Sequence, residues 1–174
     1  MNKAVFLDRD GTINAYGEGK YIHKIEDFKF SPGALSALKS LSKSEYKIIV
    51  VTNQSGIGRG DYAHEDVRVV HSWMLGEFEK SDVRIDKIYY CPHSPEDNCS
   101  CRKPNLGMVE EAVKDFNLDL SQSWMVGDNA SDVMLGKNAK MKTIMVKNEF
   151  LEQDKVKADF FVDDLPRAVE IILS

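Results

Sequence analysis

Six short apolar runs, each closed by a polar or glycine-bearing turn, constrain this chain more than any other feature. They are Ala4–Leu7, Ile48–Val51, Ile88–Tyr90, Trp124–Val126, Thr143–Val146 and Phe160–Val162. Helical patterns lie between them. Pro32 to about Leu41 reads as a helix, with Pro32 near its first turn and Leu35, Leu38 and Leu41 in register. Val67 to Phe78 carries Val70, Met74 and Phe78 at helical spacing, and Leu106 to Phe116 and Leu165 to Leu173 predict two more helices. Near-continuous apolar strands alternating with helices predict an α/β three-layer sandwich, a mainly parallel Rossmann-like sheet covered on both faces. The 174 residues fit one domain over 1–174, and a hydrophobic share of 43 % supplies a core for it.

Composition excludes several partners. A net charge of −5 argues against nucleic acid. The longest aliphatic run, Ile48 to Val51, is far too short to span a bilayer, and no signal peptide is visible. Three cysteines are a poor disulfide framework, so the expectation is a soluble monomer in the reducing cytoplasm, with neither nucleic-acid nor membrane partner.

In such sheets ligands bind at the carboxyl ends of the strands. Strand one ends in Asp8-Arg9-Asp10-Gly11-Thr12, where two carboxylates at i and i+2 can face one pocket and Gly11 can turn sharply. Close like charges need a metal or a retained proton between them. Strand two ends in Thr52-Asn53-Gln54-Ser55-Gly56, suited to donating hydrogen bonds to phosphate oxygens, and strand four in Gly127-Asp128-Asn129-Ala130-Ser131-Asp132. Taken singly, these are also an acidic turn, an ordinary turn and a helix cap. Taken together, three carboxylates at adjacent strand ends form a hard oxygen cage for Mg²⁺, with Thr52 and Lys103 as donors to a phosphoryl group. Cys91, His93, Cys99 and Cys101 place four soft or borderline ligands within eleven residues, a set suited to closed, structural Zn²⁺. Free cysteines or a Cys99–Cys101 disulfide are the alternatives. His23, His64 and His71 read as surface or capping residues, and Trp73 and Trp124 as core.

These motifs resemble those of the haloacid dehalogenase (HAD) superfamily in its DxD phosphatase form. Phe6-Leu7-Asp8-Arg9-Asp10-Gly11-Thr12 is similar to the first motif, Thr52 to the second, Lys103 to the third, and Gly127-Asp128 with Asp132 to the fourth. Val51 to Gly60 and Cys91-Pro92-His93 resemble the heptose-bisphosphate and histidinol-phosphate phosphatase family. The resemblance implies Mg²⁺-dependent phosphomonoester hydrolysis, with a heptose 1,7-bisphosphate as first substrate and histidinol phosphate as alternative. It implies Asp8 as nucleophile and Asp10 as acid and base. Asp8, the Asp10 backbone carbonyl and Asp128 become the Mg²⁺ ligands, Thr52 and Lys103 the phosphoryl holders, and Asp132 a group orienting Lys103 or a metal water. Arg102, Asn53, Lys20 and Asn129 are the substrate-binding candidates. Asn129 departs from the basic residue many relatives carry there, and the zinc loop is short. The intervals from Asp10 to Thr52 and from Thr52 to Lys103 leave no room for a separate cap domain. A phospho-aspartate receiver module is the reading from another class, but its acceptor usually follows the third strand, whereas Asp8 follows the first.

Overall fold

The computed structural model describes residues 1–15, 21–148 and 157–174. All six predicted runs are strands: β1 (Ala4–Leu7), β2 (Lys47–Asn53), β3 (Lys87–Cys91), β4 (Trp124–Gly127), β5 (Lys142–Val146) and β6 (Phe160–Val162). They form one parallel sheet in the order β3-β2-β1-β4-β5-β6. Residue alternation on β1 shows why both faces are covered. Val5 and Leu7 join a cluster with Leu38, Val70 and Val169, whereas Ala4 and Phe6 join one with Met108, Val109 and Leu135. Each fully buried Leu or Phe of these layers adds about 1.5–3 kcal/mol of apolar transfer.

One face carries α1 (Ala34–Ser42), α3 (His64–Lys80) and α6 (Leu165–Leu173), and the other α4 (Gly107–Phe116) and α5 (Ala130–Asn138). A single short turn of helix, α2 (Gly56–Arg59), follows β2. Pro32 stands next to the first turn of α1, just outside the helix. Gly33 caps that helix in a left-handed conformation (φ 72°), which places Pro32 one residue outside it. Pro104 lies two residues before the Leu106 N-cap of α4. Trp124 is core, but Trp73 is only partly buried, its ring edge on Phe28 at 5.3 Å. Phe160 and Phe161 are exposed because β6 is the sheet edge, where only Val162 faces the core.

β1 is flanked by β2 and β4, so the chain reverses its direction of strand addition at β1. A crevice opens there at the carboxyl ends. Between β1 and β2 the described chain adds a 3-10 turn and α1, and between β2 and β3 it adds α2 and α3. The described residues build no cap domain in either interval. No described helix is long and apolar enough to cross a membrane.

Candidate active site

Leu7 pairs with Val50 of β2 and with Val126 of β4, so Asp8, Thr52 and Asp128 emerge side by side. They line a cavity of about 170 Å³ together with Asp10, Lys103 and Arg102. Tyr21, Asn53, Asn129 and Ser131 complete its wall. Lys20 lies outside the described residues, and of its predicted loop only Tyr21 is described.

Asp8 Oδ1 accepts from Lys103 Nζ at 2.8 Å and from the Arg9 backbone N–H at 2.8 Å. Lys103 Nζ also donates to the Val51 carbonyl at 2.9 Å and pairs with Asp132 Oδ1 at 2.7 Å. Burial alone would drive the Lys103 ammonium to release its proton, but the carboxylates of Asp132 and Asp8 outweigh it and raise its pKa. Burial, reinforced by the charges of Asp132 and Asp128 against that of Lys103, lifts the Asp8 carboxyl well above the ordinary carboxylate range. Burial and then the Asp132 charge push Asp128 up to about 7 against the opposing Asn148 donor and Lys103.

A buried set this negative suits a hard divalent cation. One carboxylate oxygen from each of Asp8, Asp128 and Asp132 lies within 4.8 Å of the others. Gly11 keeps the cradle open: its φ is +89°, and a Cβ there would stand 2.1 Å from Asp128 Oδ2. Asp132 is already committed twice, since its Oδ2 accepts from the Asn129 N–H at 3.0 Å and its Oδ1 faces Lys103. Asp8 and Asp128 are therefore the side chains best placed to hold a cation, with Asp132 fixing Lys103. The Asp10 carboxylate is not one of this cluster.

Asp10 has a donor set of its own. Arg9 Nη2 reaches both its oxygens at 3.0 and 2.9 Å, Asn14 Nδ2 donates to Oδ1 at 3.0 Å, and Gln54 Nε2 donates to Oδ2 at 2.9 Å. Gln54 Nε2 also donates to Thr52 Oγ1 at 3.0 Å, which leaves the Thr52 proton to donate into the cavity. Tyr62 Oη donates to Gln54 Oε1 at 2.9 Å and so fixes which way that amide faces. Sequence reasoning gave no role to Arg9, Asn14 or Tyr62, and took Gln54 only as part of a turn donating to phosphate, whereas its amide donates to Asp10 and Thr52. It also read His71 as a surface or capping residue. The ring is buried, 3.0 Å from Arg9 Nη1, and burial with the Arg9 charge drives its pKa down to about 3. The helical spacing 67-70/71-74-78 puts residue 71 on the apolar face of α3, and that signal was available.

The remaining candidates differ in how far they are free. Asn53 uses both amide ends on Lys103, accepting from its N–H at 3.0 Å and donating to its carbonyl at 3.3 Å. Asn129 caps α5, its Oδ1 accepting from the Ser131 N–H at 3.2 Å. Arg102 keeps a buried Nη1 with no partner among the described residues.

At the loop after β3, the four predicted soft ligands converge within 4.8 Å. Cys91 Sγ lies 3.5 Å from Cys99 Sγ and 3.0 Å from Cys101 Sγ, and His93 Nδ1 lies 3.2 Å from Cys101 Sγ. All three cysteines are free thiols, so there is no Cys99–Cys101 disulfide. Burial resists ionisation of Cys99, but the Arg102 backbone N–H and the neighbouring thiols pull it down to about 7. Three thiols and an imidazole at this range fit a tetrahedral zinc set.

Comparison with known proteins agrees with this geometry. A family model described as HAD-hydrolase-like matches residues 100–168. The chain is 45 % identical over 159 residues to D-glycero-alpha-D-manno-heptose-1,7-bisphosphate 7-phosphatase of Campylobacter jejuni, covering 91 % of this chain and 88 % of that protein. It is 42 % identical to the D-glycero-beta-D-manno-heptose-1,7-bisphosphate 7-phosphatase of Haemophilus influenzae, covering 98 % of each. The crystal structure of D,D-heptose 1,7-bisphosphate phosphatase from B. bronchiseptica, complexed with magnesium and phosphate, superposes with a TM-score of 0.89. Its sequence is 29 % identical, with 98 % of each chain covered.

Proposed function

Because the chain belongs to the D-glycero-D-manno-heptose-1,7-bisphosphate 7-phosphatase family of HAD-like hydrolases, we propose that it hydrolyses the 7-phosphate of a heptose 1,7-bisphosphate. One catalytic domain spanning residues 1–174 performs the reaction. The observation that carries the reading is the pairing of a Lys103-anchored Asp8 with a separately cradled Asp10 at one cavity. In the first step an Asp8 oxygen attacks phosphorus, the P–O bond to the sugar breaks, and Asp10 gives its proton to the departing oxygen. In the second, water attacks the aspartyl-phosphate, Asp10 takes the proton, and inorganic phosphate leaves with Asp8 restored.

Thr52 and Lys103 hold the equatorial phosphoryl oxygens, and preorganised donors of this kind supply much of the rate. Asp8, the Asp10 backbone carbonyl and Asp128 would hold Mg²⁺, which when bound neutralises the meeting of nucleophile and phosphate. The cavity, at about 170 Å³, is below the roughly 300–1,000 Å³ of a whole-ligand pocket. It takes the phosphoryl group and leaves the sugar to the rim, where Arg102 Nη1, Asn129 and Asn53 would meet it; Lys20, outside the described residues, is a further candidate. A structural Zn²⁺ on Cys91, His93, Cys99 and Cys101 would fix the loop that ends in Arg102 and Lys103. Three thiols held free support the reducing cytoplasm as the site of action. The chain is taken to act as a monomer.

Initial rates with Mg²⁺ on both anomers of heptose 1,7-bisphosphate, on histidinol phosphate and on simple sugar phosphates test the reading. The heptose bisphosphate is expected to be preferred. A preference for histidinol phosphate would overturn the substrate, and no hydrolysis of any ester would overturn the chemistry.

A further inference from the structure

The basic pair behind Asp10 has no part in the steps above. Arg9 is fully buried, and a charge in that position persists only if its donors are satisfied. Its Nη2 serves both Asp10 oxygens and the Ile22 carbonyl. Its Nη1 meets His71 Nε2 at 3.0 Å, across 62 residues of chain. Its Nε has no partner among the described residues.

A guanidinium has donors only, so His71 Nε2 must be the acceptor and the ring proton sits on Nδ1. The imidazole is itself held in place, edge-on to the Tyr90 ring at 5.7 Å. With Nε unpaired, His71 is, among the described residues, the one acceptor that fixes the rotation of Arg9 about its far side. Without it, two buried guanidinium nitrogens would lack partners. The group would then turn toward another acceptor, drawing Nη2 away from the Asp10 carboxylate. Asn14 and Gln54 reach one oxygen each and could not restore that orientation alone.

We propose that His71 is a positioning residue for the acid–base aspartate: its Nε2 holds Arg9, and Arg9 holds Asp10. This inference rests on the phosphatase reading above. Positioning of a proton donor matters in proportion to how badly the leaving oxygen needs the proton. The alkoxide of a sugar needs it, whereas nitrophenolate leaves without much help.

The test compares kcat/KM, which reports the steps through phosphoryl transfer to Asp8, for heptose 1,7-bisphosphate and for p-nitrophenyl phosphate. Wild type, His71→Ala and His71→Gln are measured in the full chain, with Asp10→Asn as the benchmark for complete loss of the proton donor. His71→Ala is expected to lose about tenfold on the sugar phosphate, a fraction of the 10²–10⁴ a general acid supplies. On p-nitrophenyl phosphate it should lose less than about twofold, and the sugar-phosphate loss should fall on kcat with KM unchanged. His71→Gln, whose amide oxygen can accept from Nη1, should recover most of the loss. If the alanine variant does not fold, His71→Leu fills the site without an acceptor and is read by the same ratio. Equal losses on the two esters, no loss on either, or a glutamine variant as impaired as alanine would overturn the proposal. A wild-type chain that cleaves neither ester would overturn the phosphatase reading instead.

Discussion

Asp128→Asn is expected to stabilise the magnesium-free chain while removing its response to magnesium. Burial and Asp132 raise the Asp128 carboxyl to about 7, against 3.8 in the unfolded chain. A raised carboxyl pKa means that the folded state keeps a proton the unfolded state has lost. This favours the fold at low pH, and the advantage disappears as pH rises from 3.8 through about 7. At pH 8 the buried charge therefore costs up to about 4 kcal/mol, at about 1.4 kcal/mol per tenfold. Asp8 and Asp132 share that repulsion, so removing one member should return about half, roughly 2 kcal/mol. For a chain of this length that is about 4–8 °C in melting temperature. Asparagine keeps the shape that fills the space above Gly11. Thermal melts in magnesium-free buffer with zinc retained would show it. The variant should melt higher than wild type at pH 8, with the gap narrowing toward pH 5. Added Mg²⁺ should raise the wild type and leave the variant unmoved. A variant that melts at or below wild type at pH 8 without magnesium would refute the reasoning.

Asp8→Asn should abolish turnover of every phosphate ester with circular dichroism unchanged, and measurable multiple turnover would remove Asp8 as nucleophile. Stripping zinc should loosen the Cys91–Lys103 loop to limited proteolysis and raise KM, since Cys101 leads directly into Arg102 and Lys103. Full activity after metal analysis confirms zinc loss would count against that coupling. In Gly56→Ala the new Cβ would stand 2.1 Å from Tyr62 Cε1, displacing the residue that orients Gln54. It should cost about 1–3 kcal/mol, and an unchanged melting temperature would contradict the packing.

What could be read from the chain without its structure follows the range of the interactions. The strands were legible because a doubly covered parallel strand must be apolar throughout, and Asp8, Thr52 and Asp128 followed because each directly ends or sits in such a run. α5 was not read as a helix. Its buried Val133, Leu135 and Gly136 alternate with the exposed Met134 in no clear stripe, and it is secured instead by the Asn129 cap and by Asp132. The acid–base cradle was missed for a different reason. Arg9 and Asn14 are near neighbours of Asp10 in sequence, but Gln54 meets Asp10 across 44 residues and His71 meets Arg9 across 62, contacts made only by the packing of β1, β2 and α3. Local spacing carries the nucleophile, whereas the groups that orient its partner become visible only in three dimensions.

The charges of the site favour a divalent cation over a monovalent one. Four carboxylates, Asp8, Asp10, Asp128 and Asp132, converge with two buried cations, and each cation is already assigned. Arg9 serves Asp10, and Lys103 serves Asp8 and Asp132. No Lys or Arg among the described residues pairs with Asp128, whose carboxyl burial and the Asp132 charge carry up to about 7. Counting Asp10 in the ionised state it reaches after giving up its proton, the surplus is two negative charges in a cavity that must also hold the phosphoryl group. One divalent ion would bring that sum to zero, and Arg102 is then the remaining positive group of the cavity wall among the described residues. A monovalent ion of similar size leaves the pocket negative, so it should fill the site without restoring turnover. The separate assignment of Arg9 has a second consequence. Because Asp10 draws its counter-charge from behind the sheet end rather than from Lys103, its orientation can be set without disturbing the nucleophile, and the two aspartates of one short motif can carry different roles 2 residues apart.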